Sequence, residues 1–250
     1  MTDEQYTNPR LAALYDPLER DRPDLDAYLS LSKELRAHQI LDVGCGTGTL
    51  ALLLTRQGHS VTGVDPARAS LDIARAKPGA DQVRWLHGDA TTLPTLSVDL
   101  AVMTGNAAQA VVDEDLWTAT LRGVRAALRP GGWFVFETRD PARRAWEEWT
   151  PEKSRRTVRI PGTGEVETWY EVTDVRWPLV TFRTVYILTS TGETLLSEST
   201  LRFREQDEVT ATLTASGFDV EEIRDAPDRP GKEFVFLARS REVVSPGDQS

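Results

Sequence analysis

The hydrophobic positions of the chain fall into two alternating patterns, short apolar runs and longer stretches with helical spacing. The apolar runs predict buried strands at 40–43, 60–65, 82–86, 98–103 and 133–137. Between these runs, apolar residues recur every three or four positions and predict helices at about 24–36, 48–57, 68–74 and 116–128. Strands that alternate with helices in this way predict an α/β domain with a parallel sheet.

A second pattern begins after the fifth predicted strand, where polar and apolar residues alternate with a period of two. It predicts antiparallel strands at 157–160, 166–175, 180–188 and 194–204. A helix at 207–216 and two final strands at 218–223 and 233–238 follow. The linker between these two strands is short and rich in Asp, Pro and Gly, so it cannot hold a crossover helix. The last two strands are therefore predicted to be antiparallel.

Composition narrows the class of protein. The 250 residues, 40% of them hydrophobic, are enough for one large domain with a full core. A net charge of −10 argues against binding to nucleic acid or to an anionic membrane, so we expect a small-molecule or protein partner. The single cysteine, Cys45, excludes an intramolecular disulfide and a cysteine metal site. The N-terminal residues lack an apolar run, and we expect a cytoplasmic protein without a membrane span.

Candidate chemistry is concentrated in the segment from Ile40 to Thr49, which reads Ile-Leu-Asp-Val-Gly-Cys-Gly-Thr-Gly-Thr. An acid at the end of a buried strand, followed by a glycine turn and a helix, is typical of sites for nucleoside-bearing cofactors. Residues 46–51 also satisfy the Gly-x-Gly-x-x-Gly/Ala pattern of dinucleotide folds. A tight turn without any ligand is a third interpretation, and this loop alone does not select among them.

Later segments select the cofactor. The Asp42-x-Gly44-x-Gly46-x-Gly48 pattern resembles the first motif of class I S-adenosylmethionine-dependent methyltransferases. Asp65 closes the second strand, Asp89 and Ala90 follow the third, and the Leu-Arg-Pro-Gly-Gly sequence at 128–132 precedes the fifth, all in the order of that family. The cofactor residues expected from these motifs are Tyr15, Asp42, Gly44, Cys45, Gly46, Gly48, Asp65, Pro66, Asp89, Ala90 and Thr104.

Individual roles follow from chemistry and from the resemblance. An acid at Asp65 can accept hydrogen bonds from both ribose hydroxyls. The resemblance implies that Pro66 packs on adenine, that Asp89 and Ala90 recognise its polar edge, and that Tyr15 belongs to a lead-in segment that closes over the cofactor. Two alternatives stay open. Asp89 would also suit a cap on the next turn, and Tyr15 would also suit simple packing of the lead-in.

The resemblance implies a Rossmann-like seven-stranded mixed sheet with an antiparallel last strand and helices on both faces. The core is expected at 1–140, including lead-in helices, and at 206–240. An antiparallel β insertion at 141–205 is expected to form a lid over the acceptor or a contact in a homodimer, and 241–250 to form a flexible tail. The resemblance covers 40–137 and 207–239. The lead-in and the insertion resemble the family only in the type of segment present at those places.

The acceptor side is less defined. Asn106 follows the fourth strand, where the methyl acceptor approaches in this family, yet 106–109 lacks the proline-rich tetrapeptide of many enzymes that methylate amines and nucleic acids. Arg139 is a candidate for gripping an acidic substrate group and Trp146 for a pocket wall. The alternative for Arg139 is a solvated helix start with local ion pairs. His38 and His59 precede their strands and His87 suits a structural role, so no general base is assigned.

We therefore predict an S-adenosylmethionine-dependent methyltransferase that uses no metal and acts on a nitrogen or oxygen of a small molecule. Two alternatives remain at this point, a non-catalytic S-adenosylmethionine-binding protein and a nicotinamide-dependent oxidoreductase. The identity of the acceptor, the atom methylated, the oligomeric state and the pathway do not follow from the sequence.

Overall fold

The computed structural model describes residues 3–242, which build two sheets and the helices around them. The strands are β1 (Gln39–Val43), β2 (Ser60–Asp65), β3 (Val83–His87), β4 (Val98–Met103), β5 (Leu128–Arg139), β6 (Arg156–Ile160), β7 (Gly164–Arg176), β8 (Leu179–Leu188), β9 (Glu193–Arg202), β10 (Phe218–Asp225) and β11 (Glu233–Ser240). The α-helices are α1 (Glu4–Thr7), α2 (Pro9–Leu18), α3 (Asp24–Glu34), α4 (Thr49–Arg56), α5 (Arg68–Ala76), α6 (Ala107–Ala110), α7 (Glu114–Ala127), α8 (Pro151–Ser154) and α9 (Gln206–Ala215).

The large sheet has the order β10-β11-β5-β4-β1-β2-β3. Strands β1 to β5 pair in parallel with their neighbours, whereas β11 is antiparallel to both β5 and β10. The predicted seven-stranded mixed sheet with a reversed last strand is confirmed. Since the carboxyl ends of β1, β2, β4 and β5 meet at one edge, the motifs that follow these strands are brought together there.

The two faces of this sheet carry separate cores. On the face covered by α7 and α9, aromatic rings of β5, β10 and β11 pack together, and Phe134 stacks on Phe136 with ring centroids 4.7 Å apart. On the face covered by α3 and α4, the core includes Ile40, Val135 and Val235. Side chains two positions apart on a strand share a face. These three strands therefore direct the side chains two residues away, Asp42, Glu137 and Glu233, to the α3 and α4 face.

The small sheet, in the order β6-β7-β8-β9, is antiparallel throughout and occupies the predicted insertion. Its predicted strands have the observed positions within about two residues. It is attached to the core just after β9 by Arg204, whose buried guanidinium donates 2.8 Å to the Val111 carbonyl and pairs with Glu114 at 3.1 Å. The same guanidinium lies over the ring of Trp117.

The lead-in helices join the small sheet to the core. Leu11, Leu14 and Leu18 of α2 pack against Ile160, Val166 and Tyr186 of the small sheet. Arg10 also forms an ion pair of 2.6 Å with Glu193. On the other side, the backbone carbonyl of Tyr6 accepts a hydrogen bond from Ser70 in α5. The predicted short helices are thus present, and they bridge two sheets rather than lie on one.

Three details differ from the sequence-based expectation. Leu128 begins β5 instead of ending the preceding helix, and Leu116 in the first turn of α7 is 42% exposed because its neighbour Trp117 takes the core position. The segment from 141 to 154 consists of short 3₁₀ and α turns that the sequence pattern did not resolve. The predicted tail lies outside the described residues from position 243 onward.

One close helix contact gives a test of the packing. Gly123 of α7 lies so near the turn after β3 that an added Cβ would sit 1.9 Å from the Ala90 carbonyl oxygen. Helix propensity alone predicts that Gly123→Ala stabilises the protein by about 1 kcal/mol. We expect the opposite sign, a loss of about 1–3 kcal/mol in the free energy of unfolding measured in urea, since the added methyl overpacks the contact.

Ala126→Gly, at an exposed position of the same helix, measures the propensity effect alone, with an expected cost of about 1 kcal/mol. A gain of stability in Gly123→Ala would contradict the close approach of α7 to the Ala90 turn.

Candidate functional site

The glycine turn after β1 has a left-handed backbone at Gly44, Gly46 and Gly48, with φ of 72°, 52° and 78°. Two features require glycine at position 48: the left-handed φ, and a Cβ contact of 2.4 Å with the Trp85 ring that any other residue would make. At Gly46 a Cβ would meet no atom of residues 3–242 within 4 Å, so among these residues this position of the turn faces open space. The neighbouring Cys45 is buried, and its backbone N–H donates to the Val64 carbonyl.

Asp65 connects the turns that follow β1 and β2. Its carboxylate accepts hydrogen bonds from the backbone N–H groups of Gly46 at 2.8 Å and Ala67 at 2.7 Å. Burial raises the pKa of Asp65, while these two backbone hydrogen bonds act in the opposite direction. Each carboxylate oxygen keeps lone-pair capacity for a further donor. The predicted ribose acceptor is therefore held by the protein in a fixed orientation beside the glycine turn.

Asp42 is the least compensated acid of the turn. Its side chain is 1% exposed, and neither carboxylate oxygen has a hydrogen-bond partner among the described residues. Burial raises the pKa of Asp42 to about 7, with the charge of Asp65 adding to the rise and that of Arg22 opposing it. A buried carboxylate without a partner is costly. The site therefore fits a ligand that brings a cationic N–H group to this position.

The segment after β3 shows the capping alternative for Asp89. Its Oδ1 accepts from the backbone N–H of Thr91 at 2.8 Å, and the Thr92 hydroxyl completes the capping box. Oδ2 is not used by this cap, so capping leaves one oxygen for adenine recognition. His87 contacts the Pro66 carbonyl through Nε2 at 3.1 Å, which gives it the structural role expected from the sequence.

The lead-in segment reaches the glycine turn through Asp16, a residue to which sequence reasoning gave no role of its own. Its carboxylate accepts from the Thr47 hydroxyl at 2.6 Å and pairs with Lys77 at 2.6 Å. This places a negative charge beside the first turn of α4. In dinucleotide folds that position belongs to the pyrophosphate. Tyr15 is adjacent and packs on Tyr6, with ring centroids 5.8 Å apart.

The loop after β4 carries Asn106, which follows Thr104 and Gly105. Asn106 is buried and has a left-handed φ of 58°. Its backbone N–H donates to Glu137 Oε1 at 2.8 Å, and its side-chain Nδ2 donates to Glu233 Oε1 at 3.0 Å. Its Oδ1 has no hydrogen-bond partner in the part of the chain that the structure describes. Strained conformations of this kind are concentrated at functional sites.

Two acids of β5 and β11 lie beside Asn106 in different environments. Glu137 is 7% exposed, and burial raises its pKa to about 8, with Glu233 and Asp24 adding to the rise. Glu233 is paired with Arg229 at 2.7 Å and lies 3.9 Å from Arg139. The sequence places Glu137 at the end of the fifth predicted strand, 133–137, and does not show whether it has a cationic partner. The structure shows none for it within residues 3–242.

Arg139 is the last residue of β5 and is not the solvated helix residue of the alternative interpretation, which is wrong here. Its Nη1 donates to Gln109 Oε1 at 2.9 Å, and its guanidinium lies over the Trp149 ring, 5.4 Å from the centroid. Trp146 is buried and packs edge to face on Phe203 at 4.6 Å. Trp146 and Trp149 border a groove of about 250 Å³.

Histidines His38 and His59 lie at the amino ends of β1 and β2, away from this edge of the sheet. His59 contacts the Ser32 hydroxyl at 3.1 Å and the Ala37 carbonyl at 3.0 Å, which accounts for both ring nitrogens.

Each helix within residues 3–242 is too short or too polar to cross a bilayer. Over the same residues, no group of three or more His, Cys, Asp or Glu side chains has the arrangement of a metal site.

Comparison with known proteins identifies the domain type. Residues 40–132 match the family model of a methyltransferase domain. The cypemycin N-terminal methyltransferase of a Streptomyces species is 34% identical over 119 residues, which is 47% of this chain and 49% of that protein. The chain spans about half the length of the curated relatives it matches in this way.

Solved structures extend the likeness to the whole chain at the level of fold. The CcbJ methyltransferase of Streptomyces caelestis has a TM-score of 0.76 and 21% identity, and the match covers 96% of this chain and 100% of that one. An amino pentose methyltransferase of Micromonospora echinaspora, solved with bound S-adenosylmethionine, has a TM-score of 0.67 and 24% identity over 91% and 95% of the two chains. The fold is that of S-adenosylmethionine-dependent methyltransferases.

The unpartnered state of Asp42 has a measurable effect on stability. Its folded-state pKa lies above the ordinary value of 3.8, so the unliganded protein loses stability as pH rises from about 4 to about 7. Asp42→Asn removes this loss. We expect its unfolding temperature at pH 8 to exceed that of the wild type by about 2–8 °C, and the difference to shrink toward pH 5.

Differential scanning calorimetry over this pH range measures the effect, with Asp81→Asn, at an exposed position, as the control for loss of one surface carboxylate. A lower unfolding temperature for Asp42→Asn at pH 8 would mean that the carboxylate is compensated in the unliganded protein.

Proposed function

We propose, on the premise that the chain carries a methyltransferase domain with the class I fold, that the protein is an enzyme that transfers the methyl group of S-adenosylmethionine to a nitrogen or oxygen of a small molecule. The observation that carries this proposal is the buried Asp42 carboxylate, which has no hydrogen-bond partner within residues 3–242, at the edge of an open glycine turn. The methionyl part of S-adenosylmethionine bears an ammonium group, which is the partner that Asp42 lacks.

The remaining cofactor residues fit the adenosine part. Asp65 keeps acceptor capacity for ribose hydroxyls beside Gly46. Pro66 is exposed and would pack on adenine, while the free oxygen of Asp89 and the Ala90 backbone N–H would recognise the polar edge of the ring. Gly44, Cys45, Gly48 and Thr104 would form the floor of the site, and Tyr15 the cover that the lead-in segment places over it.

When bound, S-adenosylmethionine supplies an electrophilic methyl group on a sulfonium sulfur. The protein's task is then to hold the acceptor atom at about 3–3.5 Å in line with the reacting bond and to exclude water. Asn106 and Arg139 would orient polar groups of the acceptor, and Trp146 would support one wall of its pocket through its contact with Phe203.

Residues 141–205 would act as the lid of this pocket, because the small sheet is attached through both α2 and Arg204 to segments that border the site. The core would then comprise 1–140 and 206–240. The exposed edge of the same sheet is a candidate contact in a homodimer. The net charge of −10 supports a small-molecule acceptor over nucleic acid, and the free Cys45 supports a cytoplasmic location.

The nicotinamide alternative is disfavoured by the position of Asp16. Its carboxylate, paired with Lys77, accepts from the Thr47 hydroxyl beside the first turn of α4, where a dinucleotide would bring its pyrophosphate. A pyrophosphate there would have to displace this hydrogen bond and ion pair. The reversed β11 is a second argument, since dinucleotide domains have parallel sheets.

Cofactor choice is tested by thermal unfolding with S-adenosylhomocysteine and, separately, with NAD. Ligand at 100 times its dissociation constant adds about 2.7 kcal/mol to the free energy of unfolding, which raises the unfolding temperature by about 5–10 °C. We expect this shift with S-adenosylhomocysteine only. A shift with NAD alone would refute the proposed cofactor.

The two turn acids are expected to carry most of the binding. Asp42→Asn and Asp65→Asn should each lose the S-adenosylhomocysteine shift, since one loses the charge that meets the ammonium and the other an acceptor for the ribose. Asp81→Asn should keep the full shift. Isothermal titration calorimetry provides the affinities, and an unchanged affinity in either turn variant would remove that residue from the site.

A further inference from the structure

Glu137 is a buried acid that the fold provides without a counter-charge of its own. It sits at the carboxyl end of β5, on the same face of the sheet as Asp42, and is 7% exposed. Its carboxylate faces backbone amides, accepting from Asn106 at 2.8 Å with the Gly105 amide close by. No guanidinium or ammonium group of residues 3–242 forms an ion pair with it.

The neighbouring Glu233 differs in this respect, although it is equally buried. Arg229 pairs with it at 2.7 Å and the Asn106 side chain donates to it at 3.0 Å. The cations of this region are therefore committed to Glu233, and Arg139 is turned toward Gln109 and Trp149. A charge on Glu137 would have to be matched from outside the chain.

Asn106 adds a buried, unsatisfied acceptor next to Glu137. Its Nδ2 must face Glu233, because the reverse orientation would set two oxygens against each other. This fixes Oδ1 on the opposite side of the amide, where it is buried and none of the described residues donates to it. Two buried acceptors, the Glu137 carboxylate at the end of β5 and Asn106 Oδ1 in the loop after β4, thus lie side by side. A group with several N–H donors would satisfy both.

We propose that the methyl acceptor is an amine and that Glu137 receives its proton before methyl transfer. The inference rests on the proposed function and narrows its acceptor class. An ammonium would enter as the missing counter-charge of Glu137, with a second N–H directed to Asn106 Oδ1.

The proton balance of the step is simple. The N–H bond of the ammonium breaks, the proton passes to the Glu137 carboxylate, and the electron pair remains on nitrogen. That lone pair forms the new N–C bond as the C–S bond breaks, and the electrons of the C–S bond stay on sulfur. The product leaves as a methylated ammonium, and Glu137 returns its proton to solvent.

The groups around Glu137 give its carboxylate the proton affinity that a general base needs near neutral pH. Glu233 on β11 and Asp24 on α3 disfavour its ionised form, as does burial, while the Asn106 and Gly105 amides favour it. Arg139 on β5 and Arg229 beyond β10 are the nearby cations. The resulting pKa of about 8 is near the working pH, where a general base is most effective.

The first measurement needs no substrate. The folded-state pKa of Glu137 lies above the ordinary 4.5, so the wild type should lose stability relative to Glu137→Gln as pH rises from about 5 to about 8. We expect the unfolding temperature of Glu137→Gln to exceed that of the wild type increasingly over this range. Glu221→Gln, at an exposed position of β10, should follow the wild type. A pH-independent difference between Glu137→Gln and wild type would overturn the proposal.

The second measurement uses methylammonium chloride as the probe, with the S-adenosylhomocysteine complex at pH 7.5 and ionic strength held constant with sodium chloride. We expect methylammonium to raise the unfolding temperature of the wild type and of Glu221→Gln, by about 3 °C at ten times its dissociation constant. Glu137→Gln should not respond. Tetramethylammonium, which has the charge but no N–H, should have no effect on any of the three.

Failure of this inference is distinct from failure of the proposed function. Absence of an S-adenosylhomocysteine shift in the wild type contradicts the methyltransferase itself. A normal S-adenosylhomocysteine shift in both wild type and Glu137→Gln, with equal responses of the two proteins to methylammonium or with no response in either, overturns the role of Glu137 alone.

Discussion

The organisation of the site depends on the burial of three carboxylates on one face of the large sheet. Asp42, Glu137 and Glu233 each lie two residues from an apolar core position of the same strand, so strand periodicity fixes them on the α3 and α4 face. Burial of a carboxylate costs several kcal/mol unless a partner is present. Of the three, Glu233 is neutralised by the chain, and the other two keep their capacity for ligand groups.

The opposite face of the sheet offsets this cost. Stacked and edge-on rings from β5, β10, β11 and α7 fill it, and the rings of Phe136 and Phe236 lie 5.3 Å apart. Each such ring buried contributes about 1.5–3 kcal/mol. The free energy gained on this apolar face offsets the cost of two uncompensated acids on the other face. This agrees with the general observation that functional sites reduce stability.

Sequence patterns were sufficient for the architecture, because apolar runs, helical spacing and the short linker before β11 are local properties. They also located Asp42, Asp65 and Asp89 at the carboxyl ends of their strands. Sequence patterns could not show which buried acids are neutralised by a partner in the chain. Whether Glu137 or Glu233 is neutralised depends on Arg229 and Asn106, and Asn106 is 127 positions from Glu233 along the chain.

Arg139 shows most clearly where local sequence patterns fail to predict the structure. Its neighbours Arg143 and Arg144 form ion pairs within their own turn, as the alternative interpretation expected, but Arg139 does not. The strand continues as far as Arg139 because β11 pairs with it, and β11 comes almost a hundred residues later. That pairing carries the guanidinium under the small sheet, where Trp149 covers it.

The attachment of the small sheet through Arg204 has a consequence for how such a protein diversifies. The buried guanidinium links the segment just after β9 to the Val111 carbonyl and Glu114, so the small sheet and the loop that precedes α7 are held together. The proposed cofactor floor, from Asp42 to Asp89, is built from other strands. On the proposed function, exchange of 141–205 between relatives would alter the acceptor and leave the cofactor site unchanged, provided that the loop from 104 to 114, which Arg204 contacts, is exchanged with it.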